Sequence, residues 1–332
     1  MLGGLFGLLA AATFAFNNAA ARRGVLTGSV AQAIAITVPI GVPMFFIAAV
    51  AVGALPILAE FSATSLFYLT TAGIIHFVFG RYCNYRATKA MGANLVGPVQ
   101  QVSLVLTLGL AIVVLGEALT PLRVIGIVLV VLGPMLTLPG KNERPEKTAA
   151  SAEAGTGIPA FKANYAEGYL WSLLSAIGYG SSPILVTLGI GSKGLSGSLA
   201  AGVVSYSAAT IVTAAVLLWP GQIRHVFAIR RDAAKWFTLS GVLVCLSQMF
   251  LYMGYSIAPV SVVTPIQRLS IVLRVYAGWL INPHHEVFGG KVILGTIVSL
   301  IGALALTVST DLVLAHVPLP DMIADIVRWR WP

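Results

Sequence analysis

Ten stretches of about twenty residues, each apolar and nearly free of charge, divide almost all of this 332-residue chain. A membrane-spanning helix needs about 20 such residues at a rise of about 1.5 Å each. The stretches cover 3–21, 31–53, 63–86, 92–115, 119–138, 167–190, 197–219, 235–256, 259–282 and 287–310. The joints carry Arg, Lys, Gly or Pro, as in Ala21-Arg22-Arg23-Gly24 and Asn282-Pro283-His284-His285. No stretch alternates as a barrel strand does, and a helix satisfies its own backbone in hydrocarbon. Charged residues make up only 9% of the chain and hydrophobic ones 58%. A soluble domain carries about 25% charge, so most of this surface must face lipid or protein. The expectation is an all-α integral membrane protein with ten transmembrane helices, multi-pass in the cell (inner) membrane.

Between the fifth and sixth stretches, 140–166 has the Lys, Glu, Ser, Ala, Gly and Pro composition of a polar linker. The tail, 311–332, mixes Met322, Ile323, Ile326, Val327, Trp329 and Trp331 with Asp and Arg, which suits a short interfacial helix. The net charge of +9 comes from basic residues in short joints, a topology signal rather than a nucleic-acid footprint. Cys83 and Cys245 sit apart in apolar runs and read as packing residues.

The chain repeats itself. GGLFGLLAAATF at 3–14 matches GYLWSLLSAIGY at 168–179, so the first stretch reads as part of the fold rather than a cleaved leader. PVQQVSLVL at 98–106 matches PIQRLSIVL at 265–273, with Tyr85 and Tyr252 at the same offset. Glu117, Gly126 and Gly133 are spaced as Glu286, Gly295 and Gly302 are. The repeats are 1–139 and 167–310, each with five helices. An odd number inverts the second copy, and the charges agree. Arg22, Arg23, Arg86 and Lys89 fall in the first and third joints of one copy. Arg224, Arg230, Arg231, Lys235 and Lys291 fall in or beside the second and fourth joints of the other. With the linker, one face collects thirteen basic residues and the other four, which makes the first face cytoplasmic and puts both termini outside. Inverted repeats of this kind are a common plan of secondary transporters.

Ten helices, a five-helix duplication, and Leu115-Gly116-Glu117 before a G-x6-G pattern resemble the EamA repeats of the drug/metabolite transporter superfamily. The stretch 81–138, with Tyr85-Arg86-Ala87-Thr88-Lys89, carries most of the likeness. The resemblance implies a carrier of amino acids, nucleotide derivatives, drugs or other small metabolites, with cytoplasmic termini. Its orientation therefore conflicts with the charge count. The sequence departs from the family in lacking a proline midway along the fourth and ninth helices; Pro98 and Pro265 lie earlier.

An ionisable group within a membrane is costly and marks a cavity or a partner. Arg81, Arg268 and Arg274 are the candidates, and Glu60, Glu117 and Glu286 all sit near segment ends. A substrate anion would supply the missing countercharge; snorkelling to headgroups is the alternative. Gln100, Gln101 and Ser103 in one copy, and Gln267 and Ser270 in the other, cluster around them in sequence. Asn17 and Asn18, opposite Ser182 and Pro183, extend the set. Tyr85 and Tyr252 join the candidate substrate-binding residues, although packing is the commoner role of such aromatics. His76 reads as a hydrogen-bonded histidine before a proton relay.

The leading expectation is alternating-access transport of a small organic metabolite, anionic or zwitterionic. Alternatives are export of apolar or cationic compounds, or movement of a lipid with an anionic headgroup. Small multidrug exporters use a first-helix glutamate, and the first helix here has none. An enzyme is not expected, since no nucleophile–base pair, metal triad, H-E-x-x-H, G-x-S-x-G or P-loop occurs. No cofactor or metal is expected. Partners would be the small-molecule substrate and the lipid bilayer, with a homodimer left open.

Overall fold

The computed structural model describes residues 2–91, 96, 99–100, 102–117, 120–136, 164–281 and scattered positions from 294 to 305. Every regular element among the described residues is helical. Seven helical stretches are long and apolar enough to cross a membrane, and two more apolar helices are shorter. The chain is therefore a multi-pass membrane protein. The first nine predicted segments each fall on one of these stretches. The linker 140–163, the tail 311–332 and most of the tenth segment lie outside the described residues.

In chain order the helices are α1 (Leu2–Thr27), α2 (Val30–Thr37), α3 (Gly41–Ala51), α4 (Ala63–Gly73), α5 (Arg81–Met91), α6 (Val102–Leu115) and α7 (Pro121–Leu136). After the linker come α8 (Tyr165–Ile190), α9 (Gly194–Leu217), α10 (Gln222–Phe227), α11 (Arg231–Tyr255), α12 (Val260–Gln267) and α13 (Ser270–Ile281). Apolar side chains face outward along these helices: Ile47, Phe67, Val105, Val113 and Ile211 are each at least 65% exposed. Such a surface suits hydrocarbon and would aggregate in water.

Two segments expected as single helices are interrupted. In the second, Pro39 and Pro43 withdraw backbone donors. The backbone tightens there, with Gly41 N–H donating to Val38 and Val42 N–H to Pro39, both at 3.1 Å. The ninth segment breaks between α12 and α13. Pro265 cannot donate, and Arg268, Leu269, Ile271 and Val272 each donate to the carbonyl three residues back, at 3.0 Å. The third segment stays continuous but widens into a π-helix over Ile74–Gly80 between α4 and α5. Such π turns recur at functional sites.

Helices from the two halves of the sequence interleave. α1 packs most extensively on α11, then on α13 and α12, while α8 packs on α5, α6 and α4. α9 lies against α3 and α4, and α2 against α11. Small residues permit these approaches. A Cβ on Gly180 would stand 2.8 Å from the Ser103 carbonyl oxygen, and one on Gly302 would stand 2.8 Å from that of Gly126. The glycines spaced behind Glu117 and Glu286 thus include a backbone crossing.

The joints meet in two groups. At one end of the bundle, Ser29 Oγ bonds His225 Nε2 at 2.8 Å and Gln32 Nε2 donates to the His225 carbonyl at 2.9 Å. Arg22 donates to the Thr88 carbonyl at 3.2 Å and Arg86 pairs with Glu167 there. At the other end, Lys193 pairs with Glu60 at 3.1 Å. Glu117 there accepts from the backbone N–H groups of Val260 and Ser261, at 2.7 and 2.9 Å, and so caps α12. That matches the reading of Glu117 as a marker of helix ends. Glu286 lies outside the described residues.

Candidate functional site

Arg81 opens α5 directly after the π turn, and its side chain is almost wholly buried. The break between α2 and α3 leaves the Thr37 carbonyl without a helical donor. Arg81 Nη1 supplies one at 3.1 Å, and Nη2 donates to the Tyr206 hydroxyl at 3.3 Å. The guanidinium also stands 5.2 Å from the Phe77 ring centroid and 5.9 Å from that of Tyr206. Arg81 Nε has no hydrogen-bond partner among the described residues.

Arg268 occupies the turn between α12 and α13 and is also buried. Its Nη2 donates to Ser103 Oγ at 2.6 Å, which in turn donates to the Gln100 carbonyl at 2.6 Å. Its Nε, too, has no partner among the described residues. His76 and Tyr179 belong to the same region. A Cβ on Gly80, next to Arg81, would stand 3.0 Å from the Tyr179 ring, and Gly180, next to Tyr179, meets the backbone of Ser103. The His76 and Tyr179 ring centroids are 4.6 Å apart, and His76 Nδ1 bonds Ser182 Oγ at 2.5 Å. His76 is thus the hydrogen-bonded histidine of the first expectation.

Gln100 extends this polar cluster through side-chain bonds to α5 and α8. Its Nε2 donates to Asn84 Oδ1 at 2.8 Å and to Ser175 Oγ at 3.2 Å. Thr107 ties α6 to the Gly180 carbonyl at 2.8 Å. The Tyr85 hydroxyl is buried without a partner among the described residues. No Asp or Glu is among the buried polar residues described, while Arg81, Arg268 and Arg274 all are. A buried guanidinium donor left unpaired, as at Arg81 Nε and Arg268 Nε, is unfavourable by about 1–3 kcal/mol.

The other candidates separate. Arg274, Gln267 and Ser270 are buried on or beside the broken ninth segment. Tyr252 is buried with its ring edge-on to Phe45 at 5.7 Å, a packing role. Asn17 accepts from Ser240 Oγ at 2.6 Å, and Asn18 donates to the Phe14 carbonyl of its own helix at 2.7 Å. Both therefore serve α1 and its contact with α11. Gln101 lies outside the described residues. Sequence reasoning did not single out Thr37, Asn84, Ser175 and Tyr206. A polar residue in an apolar run was the signal available, and it did not tell which helices would meet.

The helical bundle, its lipid-suited surface and its charged interior define a polytopic membrane protein with a polar centre. Residues 1–138 match the EamA-like transporter family. That match agrees with the resemblance to the EamA repeats of the drug/metabolite transporter superfamily carried by residues 81–138. It is 29% identical over 160 residues to a riboflavin transporter of Rhizobium johnstonii, a match covering 46% of this chain and 49% of that protein. The chain thus aligns with about half the length of that curated relative. A solved crystal structure superposes with a TM-score of 0.62 at 17% identity, over 92% of this chain and 96% of that one. It supports the fold alone.

Proposed function

We propose that the chain is an alternating-access carrier that moves a small organic metabolite bearing an anionic group, as an anion or a zwitterion. Its site lies between Arg81 and Arg268, with Gln100, Ser103, His76 and Tyr179 around it. The observation that carries this reading is the pair of buried guanidinium groups with open Nε donors and no buried carboxylate among the described residues. A guanidinium presents five donors in a planar fork, suited to carboxylate or phosphate.

The carrier would consist of two inverted five-helix repeats, 1–139 and 167–310, with ten spanning helices in all. Helix contacts support this. The first helix of the first repeat packs on the third and fourth of the second, and the converse also holds. The joint contacts support it too, because odd joints of one repeat share an end with even joints of the other. Discontinuous helices at a repeat interface are where many carriers bind substrate, and Arg268 sits at such a break.

A second reading has one specific observation in its favour, the relative named a riboflavin transporter. An uncharged flat ring would use the Gln100–Asn84 amides and the His76–Tyr179 surface, with the arginines donating to ring carbonyls. A thermal-shift panel on the purified chain separates the two, with carboxylates, phosphates, amino acids and riboflavin side by side. The first reading expects stabilisation by an anion, lost in Arg268→Gln. Stabilisation by riboflavin alone, unchanged in Arg268→Gln, would put the second reading in its place.

A further inference from the structure

At the end where Arg86 meets Glu167, a cavity of about 630 Å³ opens between α2, α5, α8 and α10. That volume suits a small metabolite. One wall is a stripe on α5, where Tyr82, Arg86 and Lys89 share a helix face at spacings of four and three residues. The opposite wall includes Ser29 and His225, whose mutual bond pins α10 to the start of α2.

Arg86 is held ready in this cavity. Its guanidinium lies 5.2 Å from the Trp171 ring centroid and 2.5 Å from Glu167 Oε1. Glu167 has a second attachment, because Asn164 Nδ2 donates to its Oε2 at 3.2 Å. Glu167 also lies in the first turn of α8, where the helix N-terminus favours a negative charge. An incoming anion can therefore take Arg86 without stranding Glu167. Five residues back along α5, about 7.5 Å at the helical rise, stands Arg81.

We propose that this cavity is a loading site for a carboxylate or phosphate group, which displaces Glu167 from Arg86 before the molecule passes inward. The role rests on the carrier reading above, but the binding does not. Lys89 adds a second positive charge, and Tyr82 an apolar face for the rest of the molecule.

The test is a binding titration of inorganic phosphate and of riboflavin 5′-phosphate, with the purified full chain in neutral-lipid nanodiscs. Glu167→Gln frees Arg86, and the expected result is tighter binding of both anions. Arg86→Gln is expected to weaken binding about tenfold, as loss of a charge-assisted contact does. Both variants are made in an Arg268→Gln background, so that anion held at the central site does not contribute. No binding of either anion in the wild type and Glu167→Gln alike overturns the proposal, as does affinity indifferent to Arg86→Gln. A phosphate on a lipid offers the same chemistry, so the titration is repeated in phosphatidylglycerol discs. Undiminished affinity assigns the site to soluble anions, whereas its loss assigns it to headgroups and overturns the loading role. If only the carrier reading fails, anion binding keeps its dependence on Arg86 and Glu167 while proteoliposomes show no counterflow. If only the loading site fails, counterflow persists with a KM that Arg86→Gln does not change.

Discussion

Arg81 and Arg268 share burial and charge, yet the fold uses them differently. Arg81 closes a backbone wound, donating to the Thr37 carbonyl exposed by the break after α2. Removing it leaves a buried carbonyl unpaired, which costs about 1–3 kcal/mol. Arg81→Ala should therefore lower the thermal unfolding midpoint in detergent, whatever it does to transport. Among the described residues the Arg268 side chain bonds to the Ser103 hydroxyl, a weaker structural duty. Arg268→Gln should stay folded with a near-normal midpoint and lose stabilisation by the anion. Equal loss of stability in both variants would make Arg268 a structural group too. Glu117 is a third case, since its carboxylate bonds the first N–H groups of α12. Glu117→Gln should destabilise by about 1 kcal/mol, as loss of a charged N-terminal contact does, and thermal unfolding would measure it.

At the scale of elements, the informative features are the interruptions. The spans from hydropathy were legible because about twenty apolar residues admit few other structures. Pro39, Pro43 and Pro265 were visible in the sequence, but their effect depends on what receives the freed carbonyls and donors. Arg81 receives one, from a segment 44 residues away. That pairing follows from tertiary contact, which no local pattern encodes. For the same reason no local pattern marks Asn84, Ser175 and Tyr206, or separates Asn17 and Asn18 from the arginines. The α12–α13 break offers a direct test. Pro in a helix interior is unfavourable by about 3 kcal/mol relative to Ala, so Pro265→Ala should lengthen the helix and raise the unfolding midpoint. It should also slow transport by moving Arg268 out of its turn. An unchanged counterflow rate would mean that the break is incidental to transport.

For the molecule as a whole, the interleaving of the halves was not legible. Matching strings over 98–106 and 265–273 pointed to duplication, and the joint charges to inversion. Neither revealed that α1 would pack on α11 and α8 on α5. With that exchange, α1 and α8 each pack mainly against helices from the other half of the sequence. Movement of one repeat against the other would open one end and close the other. The two ends already differ: one has the cavity beside Arg86, and the other is held by Glu117 on α12 and Lys193 on Glu60. The decisive measurement is solvent access to the centre from each side of the membrane. Cys83 and Cys245 are replaced by Ala, and Ser175→Cys places one thiol beside Gln100. A membrane-impermeant thiol reagent is then applied to oriented vesicles from one side at a time. A carrier is expected to label from both sides, with each rate slowed by the stabilising anion. Labelling from one side only, unaffected by that anion, would contradict alternating access around this site.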